Sequence, residues 1–220
     1  MMAIFFDSST LISLAVTCSL PMLRKLKDSY DGDFLITTSV YNETIQRALE
    51  SLRFRYEAYR VLELIDDGII KKYSDAPLMG QINFLMDSIN KTYFADGKPL
   101  TIMHLGETST IAASIKENAD TIAVDERTTG LLIENPELLR PWLEKKFHTP
   151  ININNANLSA WAHIINKFVP LRSTEFAFVA WQKGVFGNNK DILFGLLWAL
   201  KFAGCAISEQ EINNYINQHA

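Results

Sequence analysis

The sequence predicts an α/β fold built on a parallel sheet, and three observations carry this. Short apolar runs of strand length alternate with longer stretches of helical periodicity through the first two-thirds of the chain. Two of those runs, ending at Val124 and Phe6, are followed at once by an aspartate, Asp125 and Asp7. The run at Phe34–Thr37 passes directly into a hydroxyl-rich helix start.

Taken in order, Ala3-Ile4-Phe5-Phe6 reads as a buried strand. Asp7-Ser8-Ser9-Thr10 then starts a helix carrying Leu11, Ile12, Leu14 and Ala15. Pro21 opens a second helix, since proline suits a first turn. Asp31-Gly32-Asp33 is a turn, and Phe34-Leu35-Ile36-Thr37 is the second strand. Thr38 or Ser39 is expected to cap a helix bearing Val40, Glu43, Ile45 and Ala48. The next helix is expected from about Ser51 to Ile65, followed by a strand over Ile69 to Tyr73 and a helix from Pro77 to about Asn90. Ala95 to Pro99 reads as a loop. A helix then carries Leu105, Glu107, Ile111, Ala112 and Ile115 and ends near Asn118. Thr121-Ile122-Ala123-Val124 is a strand, two helical pieces break at Asn135-Pro136, and Ile151-Asn152-Ile153 is the expected last strand. From Asn157 on the pattern is helical only, with Ser208 and Glu211 forming a capping box for the final helix. The expected division is 1–155 as an α/β domain and 156–220 as a helical C-terminal extension.

Of the 220 residues, 48% are hydrophobic, enough for a sizeable core. The net charge of −4 argues against a broad basic surface that grips nucleic acid. Any such activity needs metal ions or a local basic patch. Cys18 and Cys205 lie outside metal-ligand spacing and read as two buried thiols of a reducing compartment. The apolar stretch at Ala3 has no basic region before it, and the run from Ile192 to Ile207 is broken by Lys201. The expectation is therefore a cytoplasmic chain with no membrane span.

Asp7 and Asp125 end their strands, and Glu43 and Glu107 lie in the first turns of helices that follow. In open parallel sheets the crevice beyond the carboxyl ends of the strands is where sites form. Four carboxylates converging there repel one another and raise each other's pKa. Mg²⁺ or Mn²⁺ relieves the conflict, because hard cations prefer carboxylate oxygen, and such ions can activate water against a phosphodiester. That chemistry requires no histidine or cysteine.

Four segments carry a family resemblance: Ile4 through Ile12, Ile36 through Glu43, Leu105 through Ala113, and Asp120 through Arg127. In this order and at these positions the chain resembles the PIN-domain nucleases over roughly residues 1–155. The resemblance implies a three-layer α/β/α sandwich and a Mg²⁺- or Mn²⁺-dependent ribonuclease. It implies metal-coordinating roles for Asp7, Glu43, Glu107 and Asp125, with Ser9 supporting Asp7 through a hydrogen bond. Two features depart from the family pattern: a glutamate at 107 where many members carry aspartate, and the extension beyond Asn157.

Each acid alone has a plain structural reading. Asp7 and Asp125 suit helix N-caps, Glu107 suits a helix dipole, and Glu43 suits a solvated surface. Arg127 is a candidate for a substrate phosphate and equally for a surface ion pair. The leading expectation is an endoribonuclease acting on an RNA substrate. Its rivals are a toxin ribonuclease held by an antitoxin-like protein and a PIN-like scaffold that binds RNA or protein without cutting. A homodimer is the expected self-association, through the apolar helix faces of the tail.

Overall fold

The computed structural model describes residues 2–187 and 189–219. The chain begins β1 (Ala3–Phe6), α1 (Ser8–Val16), α2 (Pro21–Lys27), β2 (Asp33–Thr37) and α3 (Thr38–Tyr41). A π-helical turn (Asn42–Gln46) joins α3 to α4 (Arg47–Glu50), and α5 (Arg55–Asp66) and β3 (Ile70–Tyr73) follow. Next come a 3₁₀ turn (Ala76–Leu78), α6 (Met79–Asn90), β4 (Tyr93–Ala95), β5 (Lys98–Pro99), α7 (Leu105–Glu117) and β6 (Thr121–Ala123). The remainder is α8 (Arg127–Glu134), α9 (Pro136–Phe147), β7 (Ile151–Ile153), α10 (Asn155–Ile165), β8 (Val169–Leu171), α11 (Ser173–Gln182), α12 (Lys190–Ala203) and α13 (Glu209–His219).

The central sheet runs β3-β2-β1-β6-β8, and all its neighbouring pairs are parallel. Alternation along β1 builds two cores, one on each face. Ile4 and Phe6 join Phe34, Ile36 and residues of α1, α2, α5, α11 and α12 on one side. Ala3 and Phe5 join Leu35, Ile122 and residues of α6, α7, α8, α9 and α10 on the other. The result is the expected α/β/α sandwich around a parallel sheet, with C-terminal helices laid against it.

Several expectations are corrected. The stretch 95–99 is no plain loop: β4 and β5 form an antiparallel hairpin whose turn residues, Asp96 and Gly97, both have positive φ (49° and 74°). An Asp-Gly pair supplies that conformation cheaply. Strand β7 is present, but it pairs with β4 in this small antiparallel sheet and not in the central one. The segment after Asn157 is not helical only, because β8 closes the central sheet beside β6. Val169 N–H donates to Asp120 O at 2.7 Å and Leu171 O accepts from Val124 N–H at 2.8 Å. Pro170, between them, has its missing donor on the open edge, where proline is tolerated. Helix α11 places Phe176, Ala177 and Ala180, and α12 places Leu193, Leu197 and Leu200, in the same core as β1. Helix α5 starts four residues later than expected, at Arg55, and Cys18 is exposed while Cys205 is buried. Among the described residues no helix is long and apolar enough to cross a membrane.

Candidate active site at the carboxyl edge of the sheet

Strands β1 and β6 are neighbours in register, with Phe6 opposite Ala123. The chain order reverses between them, so the residues that leave their carboxyl ends flank the crevice of the sheet. Asp7 N–H still donates to Ala123 O at 2.8 Å. The Asp7 side chain is 2% exposed and caps α1: Oδ2 accepts from Ser9 N at 3.1 Å and from Ser9 Oγ at 2.6 Å. Its Oδ1 is buried with no hydrogen-bond partner. Burial pushes the Asp7 carboxyl up to about 6, the two Ser9 hydrogen bonds pull against it, and the Glu43 charge adds to the rise.

Glu43 reaches the same edge by a local irregularity. Thr37, not Thr38 or Ser39, caps α3, its Oγ1 accepting from Val40 N at 3.1 Å. That hydroxyl also meets Ser109 Oγ at 2.7 Å, which ties α3 to α7. The helix then widens into the π turn that contains Glu43, a form that recurs where function re-aims a side chain. The exposed Glu43 carboxylate lies over the start of α7. A Cβ added to Gly106 would stand 2.5 Å from Glu43 Oε2, so only glycine leaves it that space.

Glu107, the next residue, accepts the His104 N–H through Oε2 at 2.9 Å, which completes the N-terminal turn of α7. Burial raises the Glu107 carboxyl to about 7, with the Asp7 charge the next cause and the Glu43 charge adding to it. Asp7, Glu43 and Glu107 are thus close enough for their charges to act on one another.

Asp125 is placed differently. Its carboxylate, 1% exposed, accepts from Ser173 N at 2.6 Å and Thr10 Oγ1 at 3.3 Å through Oδ1, and from Ser173 Oγ at 2.6 Å through Oδ2. Both oxygens are engaged with α1 and α11. Its backbone serves the acidic edge instead: Ser9 Oγ, the donor to Asp7, accepts the Asp125 N–H at 3.0 Å and the Glu126 N–H at 3.3 Å. Asp7, Glu43 and Glu107 therefore lie within electrostatic reach of one another, and Asp125 is joined to Asp7 through Ser9. Glu126 caps α8 by accepting from Thr129 N at 2.8 Å. Arg127 is exposed at the start of α8, where it lines a cavity of about 140 Å³ with Arg172 and Glu211.

No family model, no curated protein and no solved structure matches this chain. The reading of the site therefore rests on its own residues. Among the described residues no group of three or more His, Cys, Asp or Glu side chains stands ready to hold a metal ion. The donor set nevertheless fits a hard cation. Asp7 Oδ1 is buried without a partner, and the Glu43 charge adds to the raised proton affinity of Asp7 and Glu107. Mg²⁺ is commonly held by one or two carboxylates, waters and substrate phosphate, without a closed protein cage.

Two contributors were not visible as such in the sequence. Gly106 gives no signal beyond being a poor helix former in a first turn. Ser173, which reads first as a helix cap and second as a residue completing the active-site edge, is the anchor of Asp125 and lies 48 residues from it.

Proposed function

We propose that this chain is a metal-dependent endoribonuclease that hydrolyses single-stranded RNA at the carboxyl edge of its sheet. One observation carries the reading: Asp7 Oδ1 is buried with no partner while the charges of Glu43 and Glu107 bear on the same spot. Crowded carboxylates destabilise a fold unless a cation is there to take them. Asp7, Glu43 and Glu107 are the side chains to hold Mg²⁺ or Mn²⁺, with Asp125 the fourth acid of the resemblance. When bound, the ion supplies Lewis acidity for the attacking water and for the leaving oxygen.

The chain's own groups do the positioning. Ser9 occupies Asp7 Oδ2 and leaves Oδ1 for the ligand. The His104 N–H orients Glu107, and Gly106 leaves room for Glu43. Arg127 is the candidate cation for a substrate phosphate. RNA in preference to DNA follows the resemblance to PIN-domain nucleases. A cytoplasmic setting follows the sequence reading of the N-terminus and cysteines, and an antitoxin-like protein or, through the apolar helix faces of the tail, a second copy of the chain is the partner.

The deciding experiment is cleavage of labelled RNA and DNA oligonucleotides in Mn²⁺, Mg²⁺ or EDTA, by the parent and by Asp7→Asn. RNA cleavage by the parent with divalent metal, lost in EDTA and in the variant, is the expected outcome. A second reading, an RNA- or protein-binding scaffold that does not cut, is favoured by the engagement of both Asp125 oxygens with Ser173 and Thr10. A parent that binds RNA but leaves it intact in every metal supports that reading and removes the nuclease.

A further inference from the structure

We propose that the segment 47–60 binds single-stranded RNA and delivers it to the acidic edge, with one nucleobase seated in the cavity between α1, the π turn and α5. This inference rests on the RNA reading above and names the surface that would recognise the substrate.

The cavity has a volume of about 220 Å³, and Glu43 is part of its wall. It therefore opens beside the acidic edge. Ile12, Ala15, Ala58 and Val61 give it an apolar lining, and Phe54 stands in the wall with its ring partly exposed. Small-molecule pockets are usually larger, about 300–1,000 Å³, so this one suits a single planar ring system. Two polar atoms in the lining residues are buried without hydrogen-bond partners: Thr44 Oγ1 and Glu57 Oε2. Thr44 is itself only 5% exposed. An acceptor carboxylate in a slot that must admit a polyanion is suited to the N–H groups of a base.

The approach to the cavity has the composition of a single-strand track. Arg47, Arg53, Arg55 and Arg60 alternate with Phe54, Tyr56 and Tyr59. Tyr56 and Tyr59 are 69% and 52% exposed, large for aromatic residues. The Arg53 guanidinium lies 4.9 Å from the Phe54 ring centroid and that of Arg60 lies 5.9 Å from Tyr56. Three arginines outside the segment are neutralised, in Arg24–Asp67, Arg140–Glu144 and Arg172–Glu175. Among the described residues none of these four arginines is in an ion pair. On a chain with net charge −4, unpaired arginines interleaved with exposed rings make the local basic patch that a nucleic acid needs. Cations track the phosphates and rings stack on bases without reading them.

The test is binding of a fluorescein-labelled single-stranded RNA of about 12 nucleotides, followed by anisotropy in EDTA so that nothing is cut. The full chain is compared with Phe54→Ala, with the double variant Arg53→Glu/Arg60→Glu, and with Lys145→Glu/Lys146→Glu on α9 as a charge control. All of these sites except Phe54 lie outside the cavity, and circular dichroism checks their folding. The expected result is about tenfold weaker binding for Phe54→Ala and at least that for the arginine reversal, with the control unchanged. Each lost phosphate contact also flattens the slope of log K against log salt by about 0.7. Failure of the parent to bind, or equal binding by all variants, overturns the inference. Binding through 47–60 without cleavage leaves the inference and removes the nuclease. Cleavage with KM unchanged in Phe54→Ala and in the arginine reversal leaves the nuclease and removes the inference.

Discussion

A Cβ on Gly106 would stand 2.5 Å from Glu43 Oε2, so the bare backbone of α7 provides the seat for the Glu43 carboxylate. The nearest atoms to that added methyl are the flexible end of Glu43, with Val40 Cγ2 beyond at 3.7 Å. Gly106→Ala should therefore displace Glu43 without harming the helix, where alanine is favoured over glycine by about 0.5–1 kcal/mol. The expected outcome is a melting temperature equal to or above the parent's, with RNA cleavage down about tenfold or more. A variant as active as the parent would show that the position of Glu43 does not matter.

Ser9 Oγ donates to Asp7 and receives the N–H groups of Asp125 and Glu126. Removing that hydroxyl has two consequences. Two backbone donors lose their acceptor, at a cost of about 1–3 kcal/mol. Asp7 also loses one of the hydrogen bonds that hold its pKa down, and that pKa rises further above about 6. Ser9→Ala should melt earlier, and the acid limb of its pH–rate profile should move to higher pH. A profile superimposable on the parent's would separate Ser9 from the chemistry.

The metal-free fold should weaken as pH rises from about 4 to about 7. Asp7 sits at about 6 against an ordinary 3.8, and Glu107 at about 7 against 4.5. In that window the folded chain holds protons that the unfolded chain has released. Stability therefore falls with increasing pH and levels off above the folded pKa values. For Asp7 alone the loss is at most about 3 kcal/mol. Asp7→Asn keeps a residue able to cap α1 and removes the charge. In EDTA at pH 8 it should be more stable than the parent, and at pH 4 the two should converge. Mn²⁺ should recover stability in the parent at pH 8 and not in the variant. Urea titrations across pH give both curves, and a parent-minus-variant difference that does not change with pH would contradict the assignment.

Most of the sheet was legible because its strands are written locally. Apolar runs of four or five residues ending at Asp7, Thr37 and Asp125 fixed three strand ends, and short separations placed the helix starts at the same edge. What was not legible depended on distant partners or on turn chemistry. β8 contains Pro170, and proline in a three-residue run argues against a strand unless the run is known to lie on an edge. The β4–β5 hairpin did have a signal, Asp96-Gly97, with strands on each side too short to show alternation. The side-chain direction of Asp125 could not be read at all, because Ser173 and Thr10 reach it from helices on other parts of the chain.

That direction leads to the last prediction. Asp125 accepts three hydrogen bonds in a buried setting, two from Ser173 and one from Thr10, so it clamps α1 and α11 to the end of β6. Ala206 N–H, from the segment before α13, also donates to its backbone oxygen at 2.9 Å. Asp125→Ala leaves buried donors without an acceptor and should cost about 3 kcal/mol, which lowers the melting temperature by roughly 6–12 °C in a chain of this size. Ser173→Ala strips one of the donors and should cost less, about 1–2 kcal/mol. Asp125→Asn separates anchoring from metal binding, because it keeps the shape and one acceptor oxygen while losing the charge. If Asp125 acts as an anchor, Asp125→Asn binds Mn²⁺ in calorimetry close to the parent's affinity, and Asp7→Asn does not. If Asp125→Asn instead loses Mn²⁺ as fully as Asp7→Asn while its urea midpoint stays at the parent's value, the carboxylate is a ligand and its engagement with Ser173 gives way when the ion binds.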